Sequence, residues 1–117
     1  MFLDTVMAFD VVMACDDDPS RRRGLRGRGV FDGECAAFFW DDVTTHSFWN
    51  DGVPTDVWLS SLGYGGDVTS CMLMRAGSPE VVKTPPCGCA IETSVPLPVG
   101  ARVRFSGGYG RVWVRNA

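Results

Sequence analysis

The sequence lacks several features that would point directly to a class of protein. No apolar run approaches the roughly 18 residues that a membrane span needs. The first residues carry Asp4 and Asp10 and no basic stretch, which predicts that the chain has no secretory signal. No GxSxG, GxGxxG or P-loop pattern occurs. The one histidine, His46, precedes Ser47, and neighbours on a strand point to opposite faces, so we expect His46 to be a surface residue and not a catalytic base. We therefore expect no enzymatic activity, no cofactor, and a place inside the cell or in a virus particle.

The cysteines argue against both disulfides and a metal site. Their odd number, without a signal peptide, predicts reduced thiols. Zinc ligands typically come as C-x2-4-C pairs, whereas Cys87 and Cys89 are separated by a single residue and no second pair exists. We expect no metal; the alternative is a four-ligand site that adds Cys35, Cys71 or His46 to this pair.

Length and composition predict one globular domain over residues 1–117. The chain has 45% hydrophobic and 21% charged residues, which is ordinary for a folded protein. A domain of this size buries enough surface for one core. The formal net charge of -3 argues against a general polyanion binder.

Short alternating segments separated by turn residues run along most of the chain. Residues 2–14 fit both helical spacing and alternation, and their valine content favours a strand. Asp32-Gly33 predicts a hairpin turn between two apolar runs. About eight such segments predict an all-β domain, a single antiparallel sandwich or small barrel, with a jelly-roll-like topology as one form.

Residues 16–29 read as a long exposed loop, because three aspartates and a proline precede five arginines among glycines. One interpretation is a solvated charged face. The other is an arm that grips an acidic or anionic neighbour through Arg21, Arg22 and Arg23.

The last hairpin, VRFSGGYGRVWV, presents one apolar and one basic face. A two-residue turn at Gly107-Gly108 places Arg104 opposite Arg111, a repulsive cross-strand pair. Alternation turns the valines and Phe105 inward. It turns outward the candidate binding residues Arg102, Arg104, Tyr109, Arg111, Trp113 and Arg115. Acidic side chains of this chain or of a partner would relieve the charge.

Two segments resemble motifs of the dUTPase family. VPLPVGARVRFSGGYGRVWVRNA is similar to the segment in which a Leu-Pro-x-Gly turn leads to Tyr-Gly-Arg-Val, and MAFDVVMA is similar to the first motif, Ala-Gly-x-Asp-Leu. The serine and glycine that follow the arginine in that family are replaced by Asn116 and Ala117. The resemblance implies a related jelly-roll-like topology and does not support nucleotide hydrolysis.

Together these features favour a structural or interaction protein of a symmetric assembly, best matched by a virus-particle accessory protein that decorates a capsid or associates with a tail. The expected partners are other protein subunits, in a homo- or hetero-oligomer. We expect no contact with a membrane. Arg and Trp side chains are frequent in interface hot spots. The alternative is a module that binds an anion or nucleic acid through the basic face of the last hairpin.

Overall fold

The computed structural model describes residues 6–116, and half of the chain lies in strands. The expectation of an all-β single domain is confirmed. The elements, in chain order, are β1 (Val6–Cys15), α1 (Asp18–Arg23), β2 (Glu34–Thr44), β3 (Ser47–Phe48), β4 (Val57–Leu62), β5 (Val68–Met74), β6 (Val82–Lys83), β7 (Cys87–Thr93), β8 (Arg102–Phe105) and β9 (Arg111–Arg115). No helix within this part of the chain is long and apolar enough to cross a membrane.

Seven strands form one curled sheet in the order β5-β4-β7-β2-β1-β9-β8, and β3 pairs with β6 in a small second sheet. The two edges of the curled sheet meet at an isolated antiparallel β-bridge between the backbones of Asp67 and Arg102. Next to this bridge, the amide of Val103 donates to the carbonyl of Gly66 over 2.8 Å. A Cβ on Gly66 would lie 2.7 Å from the carbonyl oxygen of Val103, so glycine is required for this close approach.

One pairing departs from the antiparallel pattern that the sequence predicts. Strands β1 and β2 are parallel, from the pair Asp10–Glu34 to the pair Cys15–Phe38. The predicted hairpin at Asp32-Gly33 is therefore wrong, because Val30 and Phe31 belong to no strand. A parallel pair needs a crossover connection, and α1 with the turns that follow it supplies that connection.

The N-terminal segment is a strand from Val6 onward, as its valine content indicated, while residues 2–5 lie outside the described part. The register of β1 shifts between Val11 and Met13. A one-residue shift moves the following side chains to the other face of a sheet. Phe9 consequently belongs to one core, and Cys15 belongs to the other.

The sheet separates two hydrophobic cores. The inner core contains residues of all seven strands, among them Phe9, Ile91 and Val114. The outer core joins β1, β2, β4, β5 and β7 to Leu25 and Val53 of the connecting segments. Both faces at the centre of the sheet are therefore covered.

The arginine-rich segment is not the continuous exposed loop that the sequence predicts for residues 16–29. Asp17 accepts from the amide of Ser20 over 2.8 Å, and the hydroxyl of Ser20 reaches the amide of Asp17, so the two form a capping box. Pro19 fits the first turn, where its missing N–H costs nothing. The basic residues of the last turn suit the negative end of the helix dipole. These local features together favour the short helix α1, which makes about one and a half turns.

Candidate functional site

The outward face of β8 and β9 carries the arginines and the tryptophan that alternation placed there. Val103, Val112 and Val114 are buried in the inner core, whereas Arg104 and Trp113 are exposed. Arg102, Arg111 and Arg115 are exposed on the same face. The predicted orientation of these strands is confirmed, and the role of the face in binding stays a prediction.

The pairing within this hairpin differs from the expected one by two residues. The tip is a 3-10 turn at Gly107–Tyr109, not a two-residue turn. Arg104 therefore lies opposite Trp113, and Arg111 bonds to Asp10 of β1 with Nη2 and Oδ1 3.1 Å apart. An even shift keeps every side chain on its face, so the faces were correct although the Arg104–Arg111 pair was wrong. Arg102 now lies opposite Arg115.

Tyr109 is not part of the basic face. Its φ of +58° turns the chain at the hairpin tip. Its ring centroid lies 5.2 Å from that of Phe39 and 5.6 Å from that of Phe105, and both phenylalanines pack against the inner core. The prediction that Tyr109 lies beside the arginines is wrong, because the turn residues do not continue the alternation of the strands.

A groove of about 500 Å³ crosses the basic face, and we call it the β8–β9 groove. It is lined by Val6, Gly65, Arg102, Val103, Arg104, Trp113 and Arg115. Its lining thus combines an apolar part with several guanidinium groups. Within residues 6–116, no ion pair forms to Arg102 or Arg104.

The arginines of α1 line a different cavity and do not join this groove. Arg21 is fixed within the protein: its Nη1 donates to the carbonyl of Phe39 over 2.8 Å, and its Nη2 lies 3.2 Å from Asp18. Its guanidinium also lies over the ring of Trp40. Arg22 and Arg23 are exposed. The predicted arm is therefore a helix, with Arg21 packed onto β2 and its two neighbours in solvent.

The second cavity, which we call the α1 pocket, measures about 480 Å³. Arginines and aromatic rings dominate its lining, which includes Arg21, Arg22, Arg23, Arg26, Phe38, Trp40, His46, Phe48 and Trp49. Glu92 of β7 also lines it although this residue is only 4% exposed. Burial raises the pKa of Glu92 to about 8.

Glu92 was missed by the sequence reasoning. On β7, Ala90 belongs to the outer core and Ile91 to the inner core, so alternation places Glu92 on the outer face beside Ala90. The signal in the sequence was a single acid at a buried position of an otherwise apolar strand. The sequence does not show that β7 lies between β2 and β4, where both of its faces are covered. Glu92 therefore looked like an ordinary surface residue.

His46 packs tightly against one wall of the α1 pocket. Its ring stacks on Trp40 with centroids 3.7 Å apart and an interplanar angle of 9°. Its Nε2 lies 2.9 Å from the carbonyl oxygen of Cys87, and its amide donates to Thr84. Residues 44–48 do not form one alternating strand, because β2 ends and β3 begins on either side of His46. His46 is half-buried and structural in these contacts, not the surface residue that was expected.

Three of the thiols, those of Cys15, Cys35 and Cys89, show the features of core residues. Burial raises the pKa of Cys15 to about 11 and that of Cys35 and Cys89 to about 12. A thiol with so high a pKa is protonated and weakly reactive at neutral pH. In the described part of the chain, no three His, Cys, Asp or Glu side chains are grouped so that they could hold a metal ion.

Comparisons with known proteins bear on the fold alone. No family model matches the chain, and no curated protein matches it in sequence. One similar solved structure is that of a putative transcription regulator from Sinorhizobium meliloti 1021, with 10% identity, a TM-score of 0.65, and coverage of 79% of this chain and 81% of that one. Another is a protein of unknown function from Novosphingobium aromaticivorans DSM 12444, with 14% identity, a TM-score of 0.64, and coverage of 75% and 70%. The curled sheet therefore occurs in other proteins of very different sequence.

Proposed function

We propose that this chain is a structural or interaction protein of a symmetric assembly, such as an accessory protein of a virus particle, and that it contacts its neighbour through the β8–β9 groove. The observation that supports this proposal is the composition of the groove. Arg102 and Arg104 flank the exposed ring of Trp113 without an ion pair in the described part of the chain. Arginine and tryptophan are enriched where protein interfaces gain most of their binding energy.

The partner that fits the groove is a second copy of this chain. Strand β2 leaves its pairing with β7 between Phe39 and Thr44, and the excursion exposes two carboxylates and a valine. We call Asp41, Asp42 and Val43 the acidic knob; Val43 is 67% exposed. No ion pair to Asp41 or Asp42 forms within residues 6–116. The knob therefore complements the groove in charge and in its apolar part.

Knob and groove are different surfaces, so the contact between copies is head-to-tail. Such a contact generates a closed ring when the rotation between neighbours closes, and a filament when it does not. Either arrangement gives every copy the same environment, as a symmetric assembly requires.

The test is the oligomeric state of matched variants, measured by size-exclusion chromatography with light scattering. The wild type is expected to form oligomers. The groove variant Arg104→Glu/Trp113→Ala and the knob variant Asp41→Lys/Asp42→Lys are each expected to be monomeric. A mixture of the two is expected to contain dimers, because one variant keeps its knob and the other keeps its groove. The control Arg75→Glu changes an exposed arginine outside both surfaces and should behave as the wild type.

Two results would overturn the proposal. A wild type that stays monomeric at its highest soluble concentration excludes self-assembly through this contact. Oligomers that persist in both variants place the interface elsewhere. If the wild type is monomeric and binds single-stranded oligonucleotides in a salt-dependent manner that Arg102→Ala/Arg104→Ala abolishes, the nucleic-acid alternative replaces it. Mass spectrometry of the particle with which the chain is purified tests the virus setting.

A further inference from the structure

Glu92 is a buried acid whose carboxyl group the fold leaves without a partner. It lies between Ala36 of β2 and Leu59 of β4 in the register of the sheet, and both neighbours are apolar and fully buried. No hydrogen bond or ion pair to its carboxyl group forms within the described residues. Burying a polar group without a partner is costly. Because Glu92 also lines the α1 pocket, a ligand in that cavity can reach the group and remove this cost.

The segment that covers this part of the sheet carries positive charge close to Glu92. Phe38 is the diagonal neighbour of Glu92 on the outer face, a separation of about 7–8 Å for such pairs. A Cβ on Gly24, the C-cap of α1, would lie 3.6 Å from the ring of Phe38. Cys15 pairs with Phe38 from β1, and its thiol interacts electrostatically with both Glu92 and Arg23. The acid and the arginine therefore lie within reach of one small molecule although they form no ion pair with each other.

Three arginines at the mouth of the pocket have no acidic partner in the described part of the chain. Arg22, Arg23 and Arg26 are exposed and line the cavity, and no ion pair to them forms within residues 6–116. Asp18, the other acid of the lining, is paired with Arg21. Guanidinium groups suit phosphate because they donate in a planar fork. Three of them together favour a doubly charged phosphate over a singly charged carboxylate.

The base of the pocket favours an ammonium group. A carboxyl group accepts a hydrogen bond in either protonation state, so Glu92 needs a donor whatever its own charge. An ammonium group supplies that donor together with the opposite charge that a buried carboxylate needs. Phe48 and Trp49 line the same cavity and are partly exposed, and the faces of aromatic rings attract cations. A neutral hydroxyl or amide donor gains the hydrogen bond alone.

From this arrangement we infer that the α1 pocket binds a small zwitterion, an aminoalkyl phosphate, with its ammonium group on Glu92 and its phosphate on the arginines at the mouth. An acid at the base and guanidinium groups at the mouth are complementary in charge to the two ends of such a molecule. The volume of about 480 Å³ is in the range of sites for small molecules. This site is separate from the β8–β9 groove, and the inference does not depend on assembly.

NMR titration of the isotope-labelled protein with matched probes tests each end of the ligand. Phosphoethanolamine carries both groups, hydroxyethyl phosphate replaces the ammonium group by a neutral donor of similar size, and β-alanine replaces the phosphate by a carboxylate. Phosphoethanolamine is expected to bind at least about tenfold more tightly than hydroxyethyl phosphate, because only the ammonium group pairs with the buried acid. It is also expected to bind more tightly than β-alanine. The amide signals of Gly24 and Glu92 are expected to shift on binding, which locates the ligand in the pocket.

Matched variants assign the two ends of the ligand to residues. Glu92→Gln keeps the size of the side chain but cannot carry a charge, so it is expected to bind phosphoethanolamine and hydroxyethyl phosphate about equally. Glu80→Gln changes an exposed acid outside the pocket and should keep the preference of the wild type. Arg22→Ala/Arg23→Ala is expected to weaken both phosphates by about tenfold or more, whereas Arg75→Ala, outside the pocket, should weaken neither. Circular dichroism checks that each variant is folded.

Three results would each overturn the inference: equal affinity of the wild type for phosphoethanolamine and hydroxyethyl phosphate, no binding of phosphoethanolamine by the folded wild type, or a preference for the ammonium group that persists in folded Glu92→Gln. Glycerophosphoethanolamine distinguishes two sources of the same chemistry, because it carries the ammonium group on a phosphodiester, as a lipid headgroup does. It is expected to bind more weakly than phosphoethanolamine, since a diester carries less negative charge than a monoester. Binding of equal strength would assign the pocket to a lipid headgroup with the same two contacts.

Discussion

Replacing Glu92 by glutamine should change how the stability of the fold depends on pH. In the wild type, the folded state holds a proton on Glu92 up to a pKa of about 8, whereas the unfolded chain releases it near the ordinary value of 4.5. Between these values the folded state binds more protons than the unfolded state. The free energy of unfolding must therefore fall as pH rises through this window. Glutamine has no proton to release, so the variant should not show this fall.

The magnitude follows from the two pKa values. A rise from 4.5 to about 8 corresponds to about 5 kcal/mol of stability that is present below pH 4.5 and lost above pH 8. About 3 kcal/mol of this is already lost at pH 7. Domains are stable by only about 5–15 kcal/mol, so an effect of this size is easily measured.

Urea denaturation under reducing conditions at pH 5, 7 and 8.5 tests this reasoning. The advantage of Glu92→Gln over the wild type should grow by about 4 kcal/mol from pH 5 to pH 8.5. Other acids titrate in both proteins, so their contributions cancel in the difference. A difference that stays constant with pH would refute the argument, because Glu92 would then ionise alike in the folded and unfolded states.

Three further substitutions test single features of the fold by urea denaturation. Asp17→Ala removes the capping box of α1 and should cost about 1 kcal/mol, whereas an unchanged midpoint would mean that the cap contributes nothing. Gly66→Ala should cost about 1–3 kcal/mol or more, because φ is +85° and the added Cβ would meet the carbonyl of Val103; a neutral result would show that the meeting of the sheet edges is not constrained there. Arg111→Ala should cost less than about 1 kcal/mol, since its ion pair with Asp10 is exposed, and a larger loss would show that the pair is structural.

Local residue patterns predicted most of the strands and both faces of the last hairpin. Side chains alternate along a strand whatever it pairs with, so the inward valines and the outward Arg104 and Trp113 were predicted correctly. The error in register was two residues, and an even error does not change faces. The helix at Asp18–Arg23 was also encoded locally, by an aspartate cap followed by proline and serine, but the density of charge there was interpreted as a loop.

What the sequence determined by itself is most of the short strands, because alternation and turn chemistry act between residues close in the chain. Only the tertiary structure decided which strands became neighbours, since pairing joins residues far apart in sequence. The parallel alignment of β1 with β2, the pocket that α1 forms over the outer core, and the burial of Glu92 all depend on that choice. A glutamate on a strand costs little free energy when it is exposed to water and much more when it is buried in a core. Its position in the folded sheet decides which of the two applies.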